Sequence, residues 1–268
     1  MLKSKSICCE IIKTCPLSCK HCSTNASASD FRQMSISDYE KLLTQAVFDG
    51  VDTMFISGGE PLLHKDILHF VELTSVYNLK SIIYTSGIIS NHSDVISLSK
   101  ESISELYQNG LNGLTFSIYG QEQKHDFMTN KKGSFNLLLE TLQNSKDVSV
   151  EKEFSFLPLK HNFNDIGYVV KLAKKYNIKK INILKLITQG RAKNSGFVNL
   201  SKEEESIFFK QLSRYTNKIK IEVSKLYDCD HYDGLLYSPY YAGVNEEFFT
   251  FDSKSLPGRS YRNLIDEK

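Results

Sequence analysis

Nowhere does the sequence carry an apolar run near the roughly 20 residues that a membrane-spanning helix requires. Its opening, Met1-Leu2-Lys3-Ser4-Lys5, lacks the long apolar stretch of a signal peptide. Together these absences predict a cytoplasmic protein with no membrane partner. Basic blocks are missing too: 33 Lys and Arg are interspersed with 31 Asp and Glu, so no nucleic-acid partner is expected. With 14 glycines and 5 prolines in 268 residues the chain has little punctuation, and no repeat, low-complexity tract or linker is visible before about residue 190. Six cysteines are too few for a disulfide scaffold of this length. Three of them, Cys15, Cys19 and Cys22, nevertheless crowd into eight positions, which in a reducing compartment reads as a metal site.

What is present is ordinary globular material: 41% hydrophobic and 24% charged residues, enough for one continuous core. Short apolar runs alternate with longer amphipathic segments, the pattern of successive βα units on a mostly parallel sheet. Strands are expected at Ser6 to Ile12, Thr53 to Ser57, Ser81 to Ser86, Gly113 to Tyr119, Glu153 to Leu157 and Lys180 to Ile187, with one more at Ile219 to Val223. Ser37 and Glu40 form a capping-box pattern before a helix that Gly50 would end. Further helices are expected at Asp66 to Tyr77, Ser102 to Gly110, Phe135 to Leu142 and Ile166 to Tyr176, and one opening at Ser201 with Glu204. The predicted fold is α/β: a partial (β/α)6 TIM-type barrel over residues 1–195, then a helix-and-strand C-terminal extension over 196–268. In such folds chemistry gathers at the C-terminal ends of the strands.

The segment Ile11-Ile12-Lys13-Thr14-Cys15-Pro16-Leu17-Ser18-Cys19-Lys20-His21-Cys22 puts three thiols on the loop after the first strand. Three thiolates on one [4Fe–4S] cubane leave its fourth iron open to a reagent. Structural zinc takes four ligands, usually from paired elements, so the zinc alternative needs His21 or a distant residue to complete it. The Cys-x3-Cys-x2-Cys spacing resembles the signature of the radical S-adenosylmethionine (SAM) superfamily, with His21 in its aromatic position. That resemblance implies that SAM chelates the open iron and is cleaved to a 5′-deoxyadenosyl radical that abstracts hydrogen.

Ser57-Gly58-Gly59-Glu60-Pro61 ends the second predicted strand. Alone it reads equally well as a turn; in the superfamily the corresponding run contacts the SAM ammonium group. The same resemblance gives Thr85-Ser86-Gly87 the place of a Thr-Asn-Gly segment. It sets Ser117 against the SAM ribose or carboxylate, and it matches Asn162 and Gln189-Gly190-Arg191 to polar segments of molybdenum-cofactor and peptide-modifying relatives, with Arg191 placed to pair with a carboxylate of SAM or substrate. A packed hydroxyl or a solvated arginine is the plain alternative for these. Adjacent Cys8 and Cys9 must point to opposite faces of their strand and are assigned no role.

The tail, Tyr241-Ala242-Gly243 through Phe248-Phe249-Thr250-Phe251-Asp252 to Leu256-Pro257-Gly258, resembles the start of a SPASM/Twitch extension whose cluster ligands are replaced by Tyr241 and Gly258. Cys229 is the sole cysteine after the loop, and one thiolate does not hold a cubane. A single cluster is therefore expected. The resemblance favours a ribosomally made peptide as substrate; without auxiliary clusters a net-neutral step such as epimerisation is expected, with Cys229 as a candidate hydrogen donor and a flavodoxin or ferredoxin as electron donor. Only 14 residues precede Cys15, so no separate leader-recognition domain is expected. The alternatives are a radical SAM enzyme acting on a nucleotide, sugar or cofactor precursor, and a non-catalytic metal-binding protein that keeps the fold.

Overall fold

The first strand, β1 (Lys5–Ile12), alternates from Ile7 to Ile11: Ile7, Cys9 and Ile11 are buried in the main core, while Cys8 and Glu10 face a cavity on the other side. The computed structural model describes residues 5–91, 94–224 and 226–227, with the backbone of 236–237 and 246–249. After β1 come α1 (Ile36–Phe48), β2 (Val51–Gly58), α2 (Ile67–Val76), β3 (Lys80–Thr85), β4 (Ile88–Asn91) and β5 (Asp94–Ser97). Then follow α3 (Lys100–Gln108), β6 (Gly113–Ile118), α4 (Glu122–Thr129), α5 (Ser134–Asn144), β7 (Glu151–Phe156), α6 (Ile166–Lys175), β8 (Lys180–Ile183), α7 (Lys202–Leu212) and β9 (Lys220–Val223). Two short strands, β10 (Leu236–Tyr237) and β11 (Glu246–Phe249), close the described chain.

The main sheet is parallel throughout, in the order β10-β9-β8-β7-β6-β3-β2-β1-β11. This is the α/β architecture expected, and the strand from Lys220 continues the same sheet beside β8. Its helix-covered face is apolar: Met54 and Ile56, Ile83, Leu114, Phe116 and Ile118, Phe154 and Phe156, Ile181 and Ile183 join one core cluster. Each fully buried phenylalanine stabilises the fold by roughly 1.5–3 kcal/mol. The opposite face is polar for a parallel sheet, which ordinarily reads apolar on both sides. There Lys180 bridges Glu153 at 3.0 Å and Glu222 at 2.9 Å, all three largely buried.

Two helices start two or three residues before the expected serine. Ser35, not Ser37, caps α1, accepting from Asp38 N at 3.1 Å, because a start at Ile36 turns Tyr39, Leu42, Leu43 and Ala46 onto the sheet. Likewise Ser99, not Ser102, caps α3. The Ser201–Glu204 capping box of α7 is present as expected. Two features went unpredicted. α4 has no side-chain cap of its own; the Asp165 carboxylate accepts from Gln121 N at 2.9 Å instead, a partner 44 residues away. The antiparallel β4–β5 hairpin lies outside the main sheet. β8 stops at Ile183, short of the expected Ile187, because the next residues leave the sheet to line the cavity.

Candidate active site

At the C-terminal end of the strands a cavity of about 310 Å³ is walled by Cys15, Cys19 and Cys22, by Gly58, Gly59 and Glu60, and by Thr85, Ser86, Ser117, His21 and Arg191. Pairing of the cysteine loop with its own return segment fixes it: Lys13 N donates to Arg32 O at 2.9 Å and Cys15 N to Ser27 O at 3.1 Å. Arg191 then buckles the loop from above. Its backbone N–H donates to Cys22 O at 2.8 Å, Nε to Cys19 O at 2.9 Å and a terminal nitrogen to Ala26 O at 2.7 Å. These are the carbonyls of the cysteine loop and its return, so Arg191 positions the thiols.

The glycine run is tied to the same loop. Gly59 N donates to Ile12 O at 2.6 Å and Glu60 N to Thr14 O at 2.8 Å, an approach that leaves no room for a side chain at 59. Glu60 is buried at 1% exposure, and its carboxylate accepts from Thr85 Oγ1 at 2.6 Å and from Ser86 N and Oγ at 2.9 and 2.7 Å. Burial pushes its pKa up; the bonds from Ser86 and Thr85 oppose that and favour the anion. Thr85 and Ser86 line the cavity, but in this structure their donors are spent on Glu60. Pro61 opens a short 3-10 turn capped by Glu60 and does not line the cavity. Asn162 does not line it either. Its side chain is spent on backbone, accepting from Leu159 N at 2.6 Å and donating to Tyr119 O and Leu157 O at 3.0 Å each. Cys229, Tyr241 and Gly258 lie outside the described residues.

His21 lies against Tyr119, whose phenol meets its Nε2 at 2.9 Å; its buried Nδ1 has no partner among the described residues. Sequence reasoning missed Tyr119, Tyr84, Glu10 and Lys185, all of which line the cavity. Inward spacing along the strands, two residues from Ser117 to Tyr119, was the available signal. Lys13 and Glu10 form a buried pair at 2.9 Å where β1 meets the loop.

Burial, then Glu60, pushes the Cys15 thiol well above its ordinary range, and burial with Cys22 pushes Cys19 up to about 12 against the pull of Arg191. Without metal, Cys15 and Cys19 are therefore protonated at neutral pH, and binding iron must release those protons. The donor set fits an iron–sulfur cubane with an amino-acid ligand: three thiols on one wall, a buried carboxylate for an ammonium group, and an orphaned histidine nitrogen. Among the described residues no three Cys, His, Asp or Glu side chains are gathered closely enough to hold one metal ion.

The model of the radical SAM superfamily matches residues 9–173. The chain belongs to the radical SAM superfamily. Similar proteins include the Fe-coproporphyrin III synthase of Methanosarcina barkeri, 25% identical over 72% of this chain and 46% of that protein. The PqqA peptide cyclase of Rhizobium meliloti is 22% identical over 73% of this chain and 51% of its own length. The chain thus spans about half the length of the curated relatives it matches. Among solved structures, Streptococcus suis SuiB bound to S-adenosylmethionine superposes with a TM-score of 0.70 at 15% identity, covering 92% of this chain and 58% of that one. Methylornithine synthase does so at 0.65 and 14% identity, covering 99% and 78%. This radical SAM protein is thus an enzyme whose relatives include the peptide-modifying branch. No helix among its described residues is long and apolar enough to cross a membrane.

One pH effect follows from this geometry. His125 is buried beside Tyr119, and burial lowers its pKa to about 4, below the roughly 6.5 of an unfolded histidine. As pH falls the unfolded chain takes up this proton first, so stability drops between about 6.5 and 4. The full loss from this residue is about 3 kcal/mol. Urea midpoints of the cluster-free radical SAM chain, taken from pH 7 to 4, are expected to fall more steeply for the parent than for His125→Gln.

Proposed function

We propose that the chain uses a single [4Fe–4S] cluster, held by Cys15, Cys19 and Cys22, to cleave SAM reductively and abstract hydrogen from a ribosomally synthesised peptide. The observation that carries this reading is the direct bonding of the glycine run to the cysteine loop, at Gly59 N to Ile12 O and Glu60 N to Thr14 O, on one wall of one cavity. Cluster and SAM together supply a carbon-centred radical when reduced; the chain's own residues bind and orient. Glu60, with the backbone of Gly58 and Gly59, receives the SAM ammonium group. Ser117 faces the ribose or carboxylate, His21 Nδ1 meets the nucleoside, and Arg191 holds the loop against the charge of the cluster. Residues 1–195 form the catalytic core and 196–268 a cysteine-poor extension of the SPASM/Twitch kind.

A peptide substrate is supported by the PqqA peptide cyclases and by the solved complex of SuiB with its precursor peptide SuiA. A cofactor precursor is the second reading, favoured by the Fe-coproporphyrin III and heme synthases of Methanosarcina barkeri. The proposed chemistry is net-neutral hydrogen transfer such as epimerisation. A cytoplasmic flavodoxin or ferredoxin supplies the electron. The test is anaerobic reconstitution with iron and sulfide, then reduction with SAM in D2O beside any short peptide encoded next to the gene. Formation of 5′-deoxyadenosine with a one-deuteron gain in the peptide is expected. No 5′-deoxyadenosine would sink both enzymatic readings, and 5′-deoxyadenosine formed only with a small precursor would favour the second.

A further inference from the structure

β1 carries two adjacent cysteines on opposite faces, and only one of them reaches the cavity. Cys9 is buried in the core with its sulfur 3.9 Å from that of Met34. Cys8 is partly exposed and lines the same cavity as the three loop cysteines and Glu60. It pairs with Phe55 of β2, whereas the loop departs only after Ile12, which pairs with Gly58. At about 3.3 Å per residue Cys8 therefore sits roughly 13 Å down the strand from the start of the loop. The layer between them, Glu10 and Ser57, lines the same cavity.

Ser155 of β7 supplies a second, independent sign. It is 3% exposed, lines the cavity, and its hydroxyl has no hydrogen-bond partner among the described residues. A buried hydroxyl left so costs about 1–3 kcal/mol, which a polar ligand group beside it recovers. The Ser155 hydroxyl is not engaged by the cysteine loop, the glycine run or the Glu60 cluster of bonds.

Resting on the reading above, we infer that Cys8 and Ser155 floor the substrate subsite, Ser155 bonding a substrate amide or carbonyl and Cys8 returning a hydrogen atom to the substrate carbon radical. The step balances: the S–H bond of Cys8 breaks homolytically, a C–H bond forms on the substrate, and a thiyl radical remains on Cys8. One electron from a reduced flavodoxin- or ferredoxin-class carrier and one proton from solvent restore the thiol.

The test needs no peptide. Reconstituted holoprotein in D2O carries an S–D bond at Cys8, and slow reductive cleavage of added SAM with titanium(III) citrate delivers that deuterium atom to the 5′-deoxyadenosyl radical, leaving a thiyl radical that titanium(III) reduces. Mass spectrometry is expected to find one deuterium in the product from the parent and from Cys229→Ala, and at least about tenfold less label from Cys8→Ser. The O–D bond of that serine is too strong to yield. Label that survives Cys8→Ser, or that vanishes in Cys229→Ala, overturns the assignment. Because Cys8→Ser is nearly isosteric, a shift of the cluster's EPR signal on adding SAM checks that its site is intact. If no 5′-deoxyadenosine forms from the parent, the radical SAM reading itself fails; product whose label ignores Cys8 defeats only this inference.

Discussion

Replacing Cys15, Cys19 or Cys22 with alanine is expected to remove the iron–sulfur absorbance and bring 5′-deoxyadenosine formation down to background. The thiols are the only cysteines on the loop, and their backbone is fixed by Arg191 and by the Lys13 and Cys15 bonds to the return segment. A neighbour therefore cannot shift to replace a lost ligand. Cys19, held near 12 without metal, is costly to ionise unless iron takes the charge, so a cluster with two remaining ligands competes poorly against protonation. Arg191→Ala gives the internal scale. It removes two side-chain bonds to loop carbonyls but no ligand, and its loss should resemble the roughly 10- to 100-fold typical of outer-shell changes at metal sites. The cysteine variants must lose more than that, measured as iron per chain and product per hour, while far-ultraviolet circular dichroism stays that of the parent. Full iron content and product from any one of them would remove that cysteine from the site.

Why this site was legible is a matter of range. The cysteine spacing and the Gly-Gly-Glu-Pro run are each contiguous in sequence, and each follows a strand whose apolar run is itself readable. What the residues do to one another was not legible. Thr85 and Ser86, read as cofactor contacts, bond a carboxylate 25 and 26 residues away. Asn162 staples two loops through backbone partners up to 43 residues distant. The α4 start was hidden for the same reason, its cap coming from Asp165. Helix starts slipped at Ser37 and Ser102 because several serines compete as caps there, and only burial of Tyr39 or Ile103 decides among them. Alternation did place Cys8 and Cys9 on opposite faces, but which face held the cavity depended on the curvature of a sheet assembled from strands far apart in sequence.

The glycine run carries the other large effect, and it joins stability to ligand binding. A β-carbon at Gly59 would collide with the Thr14 carbonyl oxygen and lie 2.8 Å from Lys13 O, and these are backbone atoms that cannot rotate aside. Gly59→Ala must therefore part β2 from the cysteine loop. It breaks or stretches the 2.6 Å bond to Ile12 O and the 2.8 Å bond from Glu60 N to Thr14 O. Overpacking together with two backbone hydrogen bonds predicts a loss of about 3–5 kcal/mol. Gly50→Ala is the contrasting case: its φ is +71° at the end of α1, yet nothing lies within 4 Å of the added carbon. Only the left-handed backbone penalty of about 1–2 kcal/mol applies there. Urea unfolding should rank the two in that order. Calorimetric titration of SAM into the reconstituted proteins should then separate them in kind: Gly50→Ala keeps the parent affinity, whereas Gly59→Ala loses it, because the same movement that relieves the clash carries Glu60 away from the thiols. Equal affinity in both variants would mean that the glycine run serves the fold alone.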